Sequence, residues 1–575
     1  MASSPTTASH ASAGSPRRWT ALLPPLEWLP RYRAAWLRAD VVAGVTLAAY
    51  AIPVSLAYAT LAGLPPQNGI YCYLVGGVCY ALFGTSRQLA VGPTAAIAML
   101  VGTTIAGLTA GEPSRAAAVA ALTALVVAVM CALAWTWRLS SLVSFISETI
   151  LTGFKAGAAL TIALTQLPKL FGVAGGGDHF FERVWVLAGQ LGQTNFLVLA
   201  MGLVALALLL AGDRWLPGRP VALLVVVLAT ILVSQAHLAD NGVATVGVLP
   251  AGLPDFAWPS LRLRDVDGVI PLAAACFLLS YVESVSAART LASRHDYTIQ
   301  PRQELLGLGA ANLAAAFGQG FPVAGGLSQS SVNDKAGAQS PLALVFASAT
   351  IGMCLIFLTS LLRNLPTVVL ASIVLFAVRS LIDVSALRRL WRVSRAEFSI
   401  ALVALVGVLL LGILKGVLLA VVASILMLLS AAAKPHVAIL GRIPGTRRYS
   451  DAERHPSNEP IPGVIIFRVE SSLLYFNVEH VYNYIWERVS AASDVRLVVF
   501  DLSNAPYLDV AGAGMLSALH KALAARGVQL RIVEAHARVR ELLRAEGLQS
   551  QVGDFSRTAS LEQALAEFEA GDMKV

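Results

Sequence analysis

The sequence has few charged residues for its length. Only 13% of the 575 residues are Asp, Glu, Lys or Arg, whereas 56% are apolar. A soluble globular protein averages about 25% charged and about 45–50% apolar residues. This composition leaves too little polar surface to cover a globule. It therefore excludes an ordinary soluble protein and predicts that much of the apolar surface faces lipid.

The sequence also lacks the patterns that metal sites and common enzymes require. Its cysteines form no C-x-x-C pair, and its nine histidines show no metal-ligand spacing. No H-E-x-x-H, P-loop or G-x-S-x-G motif occurs. We therefore expect no disulfide framework, no metal site, no cofactor and no enzymatic activity. The cysteines, all in apolar stretches, are Cys72, Cys79, Cys131, Cys276 and Cys354.

Long apolar runs are what the sequence has in abundance. About 20 helical residues at about 1.5 Å each cross about 30 Å of hydrocarbon, and uncharged runs such as 116–137 and 341–362 are long enough. We predict an all-α membrane domain over 41–433, after an N-terminal region over 1–40. The fourteen or so predicted spans are 41–61, 67–84, 93–107, 115–137, 143–171, 195–212, 219–237, 266–290, 301–317, 326–338, 341–362, 365–385, 397–414 and 415–433.

The distribution of arginine predicts the orientation of these spans. Arginines precede the first span and fill the loop at 386–396, whereas the loops at 62–66 and 318–325 contain no Lys or Arg. Loops rich in Lys and Arg stay on the cytoplasmic side. With an even number of spans, both termini are then cytoplasmic, in a multi-pass protein of the cell (inner) membrane. The net charge of +8 indicates topology in a lipid bilayer, and we expect no nucleic-acid partner.

The composition changes after residue 433. Residues 434–462 are polar and contain prolines, which is typical of a linker. Within 463–575, strand-like runs (GVIIFRV, VRLVVFDLS, VQLRIVEA) alternate with helical patterns such as HVYNYIWERVSAA and ARVRELLRAEGL. This alternation predicts a small α/β domain with a mostly parallel sheet.

Two predicted spans are short and interrupted by Gly or Pro, at 83–100 and 317–337. They are the third and the tenth, which correspond if the chain holds two repeats of seven spans, 41–237 and 266–433. A helix N-terminus carries free N–H groups and about +0.5 charge, so two such ends facing each other would bind an anion. The alternative is that Gly and Pro only kink structural helices.

Several motifs resemble the SulP sulfate-permease family of anion transporters. ADVVAGVTLAAYAIPVSLAYATLAGLPPQNGIY is similar to the family's first span, GTSRQLAVGP to its third and PVAGGLSQSSVNDKAGAQSPLA to its tenth. FISETILTGFKAGAAL and the eighth span match as well, and the C-terminal domain resembles the family's STAS domain. The resemblance covers roughly residues 30–570. It implies a seven-plus-seven inverted repeat, a core domain and a gate domain, elevator-like movement and a homodimer.

The resemblance also implies a substrate site between the two broken spans, walled by the first span. Tyr58 would supply an aromatic wall and a hydroxyl donor, and Ser328 a second hydroxyl. The alternatives are a tyrosine at the lipid interface and a serine bonded to its own helix backbone. The implied substrate-binding residues are Val54, Ser55, Tyr58, Val91, Gly92, Pro93, Thr94, Gly326, Leu327, Ser328 and Gln329.

Two of these positions depart from the family pattern. Many members have Gln where this chain has Val54, and members often have Arg where it has Gln329. The site therefore lacks one side-chain donor and one positive charge. We expect it to be less cationic than other sites of the family, which leaves sulfate affinity and charge stoichiometry open.

Glu283 is one of few carboxylates within an apolar run, AACFLLSYVESVSAA. A charge at mid-bilayer costs at least about 2.5 kcal/mol, so such a residue is usually paired or functional. In the family, an acidic residue here is linked to cation coupling. We expect Glu283 to bind the coupling proton; the apolar neighbours Val282 and Val285 offer few oxygens for sodium. The alternative is that Glu283 reaches the cytoplasmic surface or pairs with Arg289.

Two further residues bear on the fold and its regulation. Asp40 is expected to N-cap the first span. In the STAS-like domain, Val510 fills the position where bacterial anti-sigma antagonists carry a phosphorylated serine. The phosphorylation switch is therefore absent at that position, which favours a dimerisation or docking module.

The expected function is secondary active transport of small anions, with a sulfate-like oxyanion first, by proton symport and an elevator-type mechanism. The partners are then the anion, the proton, the bilayer and a second copy of the chain. A bicarbonate, chloride or C4-dicarboxylate carrier or exchanger, sodium-coupled or not, stays open. More remote alternatives are a nucleobase permease of the same fold and an anion sensor that signals through the STAS-like domain.

Overall fold

The computed structural model describes residues 22–109, 113–140, 148–177, 179–216, 219–259, 263–492, 494–553 and 555–571. The chain divides into two compact units, Met1–Ser424 and Ile425–Val575. The first unit is helical, and the second contains a small β-sheet with helices. This confirms the predicted fold class of a helical membrane domain followed by an α/β domain.

The helices and strands up to the end of the membrane segment have the following bounds: α1 (Pro25–Trp28), α2 (Ala34–Leu61), α3 (Pro66–Phe83), β1 (Val91–Gly92), α4 (Ala95–Thr109), α5 (Pro113–Thr136), α6 (Glu148–Phe171), α7 (Phe180–Gln190), α8 (Phe196–Trp215), α9 (Val221–Gln235), α10 (Leu263–Arg294), α11 (Pro301–Phe317), β2 (Ala324–Gly325), α12 (Leu327–Lys335), α13 (Leu342–Phe357), α14 (Thr367–Val378), α15 (Val384–Val393), α16 (Arg395–Leu411) and α17 (Ile413–Ala433).

Each predicted span coincides with a helix, although the ends differ. Within the described residues, seven helical segments are long and apolar enough to cross a membrane, and three apolar helices are shorter. The helix of the first predicted span, α2, begins at Ala34, so residues expected in the N-terminal region already belong to it. The start of the predicted span 143–171 lies outside the described residues up to Glu148, where α6 begins.

Asp40 does not cap α2, because it lies more than a turn inside that helix and is fully buried. Its carboxylate accepts hydrogen bonds from the N–H groups of Gln339 (2.7 Å) and Ser340 (3.1 Å), and from the Ser340 hydroxyl (2.7 Å). Tyr32 donates a further hydrogen bond of 3.0 Å. The N-cap prediction was therefore wrong: Asp40 stabilises the turn before α13, a contact that no local pattern reveals.

The membrane helices pack as two sets. In one set, α11 packs against α3 and α5, α13 packs against α2 and α3, and α10 packs against α4 and α5. In the other set, α6 packs against α14 and α16, and α8 packs against α9 and α14. Helix α2 also contacts α9 and α14, so it lies where the two sets meet. We call these the α10 set and the α6 set.

The second unit is built on one mixed sheet. Its elements are β3 (Val437–Arg442), β4 (Tyr449–Asp451), β5 (Val464–Val469), α18 (Val478–Ala491), β6 (Leu497–Asp501), α19 (Val510–Ala524), β7 (Gln529–Val533), α20 (Ala537–Ala545), α21 (Gln549–Val552) and α22 (Leu561–Glu569). The strand order is β4-β3-β5-β6-β7. Strands β5, β6 and β7 are parallel, and β3 is antiparallel to β4 and β5.

Apolar side chains from the central strand face both sides of this sheet. Val498 and Phe500 of β6 belong to the core beneath α18 and α19, whereas Leu497 and Val499 belong to a core that includes Leu565 of α22. A strand covered on both faces needs a continuous apolar run, which explains LVVF in β6.

The segment 434–462 is more ordered than a linker. It supplies β3 and β4, whose hydrogen-bonded register joins Ala438 to Arg468 and Arg442 to Tyr449. The sheet is consequently mixed, where a mostly parallel one was predicted. The remaining domain boundaries stay predictions. Val510 begins α19 and is 64% exposed, next to the N-cap Asp509.

Candidate functional site

The two broken helices meet in the folded chain. Strands β1 and β2 pair antiparallel, with Val91 opposite Gly325 and Gly92 opposite Ala324. Helix α4 begins just after β1, and α12 begins just after β2. The N-termini of two helices from opposite halves of the membrane unit are thereby brought to one place.

Glycine is required where the two strands cross. A Cβ atom at Gly92 would overlap the ring of Tyr73, and one at Gly325 would lie 2.7 Å from Leu89. Real Cβ contacts essentially never come this close, so any larger residue would push the strands apart. The glycines that interrupt the two spans thus serve close packing of the backbone.

Side chains of α10 and α11 hold β2 and the residue before it. Ser280 donates to the carbonyl of Val323 (2.7 Å), and the N–H of Gly325 donates to the Ser284 hydroxyl (2.7 Å). Asn312 accepts from the Val323 N–H (3.0 Å) and donates to the Val323 carbonyl (3.2 Å). The extended backbone, which has no helical partners here, is satisfied by these side chains.

Replacing Asn312 by leucine tests this support. The Val323 N–H would be left buried without an acceptor, which costs roughly 1–3 kcal/mol. We expect Asn312→Leu to lower the unfolding temperature of the purified protein and to weaken transport. Asn241→Leu, at an exposed position, is the matched control and should leave the unfolding temperature unchanged. Equal thermal stability of the two variants would contradict the supporting role of Asn312.

The side chain of Gln329 serves the crossing as well. Its Nε2 donates to the carbonyls of Ala90 (3.0 Å) and Ala324 (3.2 Å), so it joins the segments before both helices. The neighbouring Ser330 accepts from the Ala90 N–H at 2.9 Å. The side-chain amide N–H groups of Gln329 therefore bond to backbone carbonyls.

A cavity of about 160 Å³ lies in front of the two helix ends. Nine predicted residues line it: Val54, Tyr58, Pro93, Thr94, Glu283, Gly326, Leu327, Ser328 and Gln329. Three predicted residues do not. Ser55 donates to the carbonyl of Ile52 in its own helix (3.0 Å), and Val91 and Gly92 form β1 behind the cavity. Ser328 lies 3.2 Å from the Ser380 hydroxyl.

Both helix ends present unpaired backbone donors. The first intrahelical bond of α4 joins the Ala98 N–H to the Thr94 carbonyl, and that of α12 joins the Ser330 N–H to the Gly326 carbonyl. The N–H groups before Ala98 and before Ser330 have no intrahelical acceptor. Together with the two helix dipoles, these groups can bind an anion without any formal charge.

Glu283 reaches this cavity from α10. Its Oε2 atom and the Thr94 hydroxyl are shielded from solvent and have no hydrogen-bond partner among the described residues. The described part of the chain contains no ion pair between Glu283 and Arg289. Glu283 is thus a carboxylate in a transmembrane cavity, and one of its oxygens has no hydrogen-bond partner among the described residues.

A second buried carboxylate behaves differently. Glu304 on α11 is fully buried and accepts hydrogen bonds from the Tyr80 hydroxyl (2.6 Å) and the Thr85 N–H (2.8 Å), and also from the Thr85 hydroxyl. These donors satisfy it, so Glu304 ties α11 to the segment before β1. Glu283, by contrast, lines the cavity and has an oxygen that no described donor satisfies.

Sequence reasoning missed several cavity residues, above all Lys155 and Tyr50. Tyr50, Val54 and Tyr58 follow an i, i+4, i+8 spacing on α2, which could have predicted Tyr50. Lys155 is a cation inside an apolar helix, a signal as strong as that of Glu283.

Comparison with known proteins agrees with this geometry. Residues 37–404 match the model of the sulfate permease family, and residues 455–564 match the STAS domain. A probable sulfate transporter of Mycobacterium tuberculosis is 34% identical over 538 residues, which cover 93% of this chain and 96% of the relative. The resemblance noted in the sequence is thereby confirmed.

Two solved structures share the fold. Murine Solute Carrier 26 family member A9, an anion transporter in the inward-facing state, matches with a TM-score of 0.88 at 24% identity, over 98% of this chain and 96% of that one. The transmembrane domain of the cyanobacterial bicarbonate transporter BicA matches with a TM-score of 0.60 at 21% identity, over 68% of this chain and 98% of that one.

Proposed function

Because this chain belongs to the sulfate permease family, a family of multi-pass anion transporters and not of enzymes, we propose that it is a secondary active carrier of small oxyanions, sulfate first. The observation that carries the proposal is the pairing of β1 with β2, which brings two helix N-termini to one cavity. The 34% identical relative named as a probable sulfate transporter supports sulfate as the substrate.

The anion binds, in this proposal, against the free N–H groups of α4 and α12. Tyr58 and Val54 wall the cavity from α2, and the Ser328 and Thr94 hydroxyls line it from the two helix ends. Ser55, Val91 and Gly92 act behind the cavity, by shaping α2 and the crossing. Backbone dipoles recognise charge more than identity, so a bicarbonate, chloride or C4-dicarboxylate carrier or exchanger is the second candidate.

Proton coupling follows from the position of Glu283. A carboxylate without a partner in a cavity within the membrane is costly when ionised, and an incoming anion adds repulsion. Protonation removes both costs, so proton and anion bind with positive coupling. Sodium is the alternative coupling ion, and it would need oxygen ligands that Val282 and Val285 do not supply.

Transport by an elevator-type movement is supported by the packing of the helices. Helix α4 and Glu283 belong to the α10 set, and α12 packs against α10 and α2 of that set. The facing wall includes Ala377 of α14, in the α6 set, and Ser380 and Leu381 just after that helix. Sliding of the α10 set along the α6 set would carry the bound anion across the membrane.

The substrate is identified by uptake of labelled sulfate, bicarbonate, chloride and succinate into proteoliposomes containing the full chain. We expect the protein to take up labelled sulfate, and we expect the other oxyanions to lower this uptake by competing for the same site. Uptake of chloride or bicarbonate alone would transfer the assignment to that anion. Binding of an anion without flux would favour the sensor hypothesis.

We further propose that the protein is a homodimer of the cell (inner) membrane, with the N-terminus and the STAS domain in the cytoplasm. The arginine-rich loops support this orientation. The domain then serves assembly or docking, because Val510 offers no phosphate acceptor.

Removing the STAS domain tests that role. The cut belongs after Lys434, because a cut after Pro462 would leave β3 without its partner β5. We expect the truncated protein to insert into the membrane but to show lower flux or a weaker dimer, measured by proteoliposome uptake and light scattering. Removal of residues 572–575 alone is the control. Unchanged flux and oligomeric state after truncation would refute the regulatory assignment.

A further inference from the structure

The cavity contains two formal charges that come from different helix sets. Among its lining residues, only Glu283 has an acidic side chain and only Lys155 a basic one. Glu283 lies on α10, whereas Lys155 lies on α6, which packs against α14 and α16. The two charges therefore face the same cavity from opposite sides of the boundary between the sets.

Neither charge is held in a close ion pair among the described residues. No ion pair within 4.0 Å joins Lys155 to Glu283 there, although the ammonium is near enough to act electrostatically on the Glu283 carboxyl. An ammonium group beside a cavity inside a membrane protein is costly without a counter-charge. An oxyanion in the cavity would supply it.

The rest of the site supplies no positive side chain. Gln329 is neutral, and its amide already bonds to the carbonyls of Ala90 and Ala324. The backbone donors at the two helix ends provide only partial charge. A doubly charged oxyanion therefore has one full positive charge within its cavity, that of Lys155.

We propose that Lys155 is the fixed positive charge of the anion site, that it forms an ion pair with the bound oxyanion, and that the Glu283 carboxylate competes with the anion for it. This inference rests on the proposed function and deepens it. With Glu283 ionised, the two charges of the cavity cancel. With Glu283 protonated, Lys155 is free for the anion, so sulfate binds more tightly as the pH falls.

The groups around Glu283 are consistent with this competition. Lys155 faces it from α6, and the titratable Tyr50 and Tyr58 face the cavity from α2. The segments at the starts of α4 and α12 contribute only uncharged groups to the lining, including Thr94 just before α4. Helices α5 and α11, which also pack on α10, bring no titratable side chain to the lining.

The test is equilibrium binding of labelled sulfate to the purified full chain, measured from pH 5 to pH 8. Lys155→Met removes the charge and keeps the length. Loss of a charge-assisted contact should weaken sulfate binding at least about tenfold and flatten its pH dependence. Lys155→Arg should retain binding. Lys169→Met, on the same helix but away from this cavity, is the matched control and should bind as the unmodified protein does.

Combination with Glu283→Gln separates competition from simple charge loss. Glu283→Gln should tighten sulfate binding at pH 8 when Lys155 is present. In the Lys155→Met background the same substitution should tighten binding much less, so the effects of the two substitutions on affinity should be non-additive. If the elution profile shows that Lys155→Met folds poorly, Lys155→Gln is used in its place. Binding of sulfate by either folded neutral variant with unchanged affinity would overturn the proposal.

The outcome is independent of the coupling assignment. Proton coupling fails if a pH gradient does not drive uptake by the unmodified protein. The role of Lys155 fails if equilibrium binding is insensitive to its charge, whatever the gradient does.

Discussion

Glu283→Gln is expected to abolish pH-driven accumulation of sulfate while leaving sulfate exchange across the vesicle membrane intact. Glutamine has the shape of the protonated glutamate and cannot release a proton. The variant therefore keeps the neutral form of the cavity permanently, in which the anion meets no carboxylate. It binds and moves the anion, but no proton moves with it.

The pH dependence of uptake has a definite sign. Protonation of Glu283 rises as the external pH falls, and the protonated carrier binds the anion better. Uptake by the unmodified protein should therefore increase towards acid pH, and the increase should be absent in Glu283→Gln. The measurement is uptake of labelled sulfate under an imposed pH gradient, with and without sodium.

Asp240→Asn provides the control, because it removes an exposed carboxylate of the same unit that is not among the lining residues. It should accumulate sulfate as the unmodified protein does. Equal gradient-driven accumulation by Glu283→Gln would remove this residue from the mechanism. Strict dependence on sodium would replace the proton by sodium.

Gly326→Leu is expected to eliminate sulfate binding and uptake in a protein that still folds. Gly326 is the N-cap of α12 and lines the cavity, and a Cβ atom there would already lie 3.1 Å from Nε2 of Gln329. The rest of a leucine side chain would enter a cavity of about 160 Å³ and cover the free N–H groups of α12. Gly326→Ala should show an intermediate loss, because only the flexible end of Gln329 must move.

Gly189→Leu is the matched substitution, since nothing lies within 4 Å of a Cβ atom at that position of α7. It should bind sulfate normally. Elution profile and thermal unfolding establish that both leucine variants fold. Normal uptake by folded Gly326→Leu would place the anion site elsewhere.

The interrupted helices and the embedded carboxylate of Glu283 can both be recognised in the sequence, because both violate the ordinary rules of a membrane helix. Glycine and proline interrupt an apolar run, and a carboxylate within one is costly. Each anomaly can be seen locally, without knowledge of the partner segment. The same reasoning applies to Lys155, a cation within the apolar run of α6, which the sequence analysis did not single out.

Other features depend on contacts between distant segments and leave no local signal. Asp40 looks like a helix cap, yet it binds the turn at Gln339 and Ser340. Asn312 looks like one polar residue in a helix, yet it holds both polar groups of Val323. Strand β3 resembles a linker in the sequence, because its strand conformation depends more on pairing with β4 and β5 than on its own composition.

The crossing of β1 and β2 has a consequence for biogenesis. Val91 and Gly325 come from opposite halves of the membrane unit, so neither half contains both of the helix ends at which we propose that the anion binds. During synthesis, we therefore expect the backbone of the first broken helix to lack its partner strand until the second broken helix has been made. The serines of α10 that bind β2 enter just before it, so they can receive the second strand as it emerges. A nascent chain that ends before Gly325 should be inserted yet unable to bind sulfate, and its first half should be a substrate for membrane quality control.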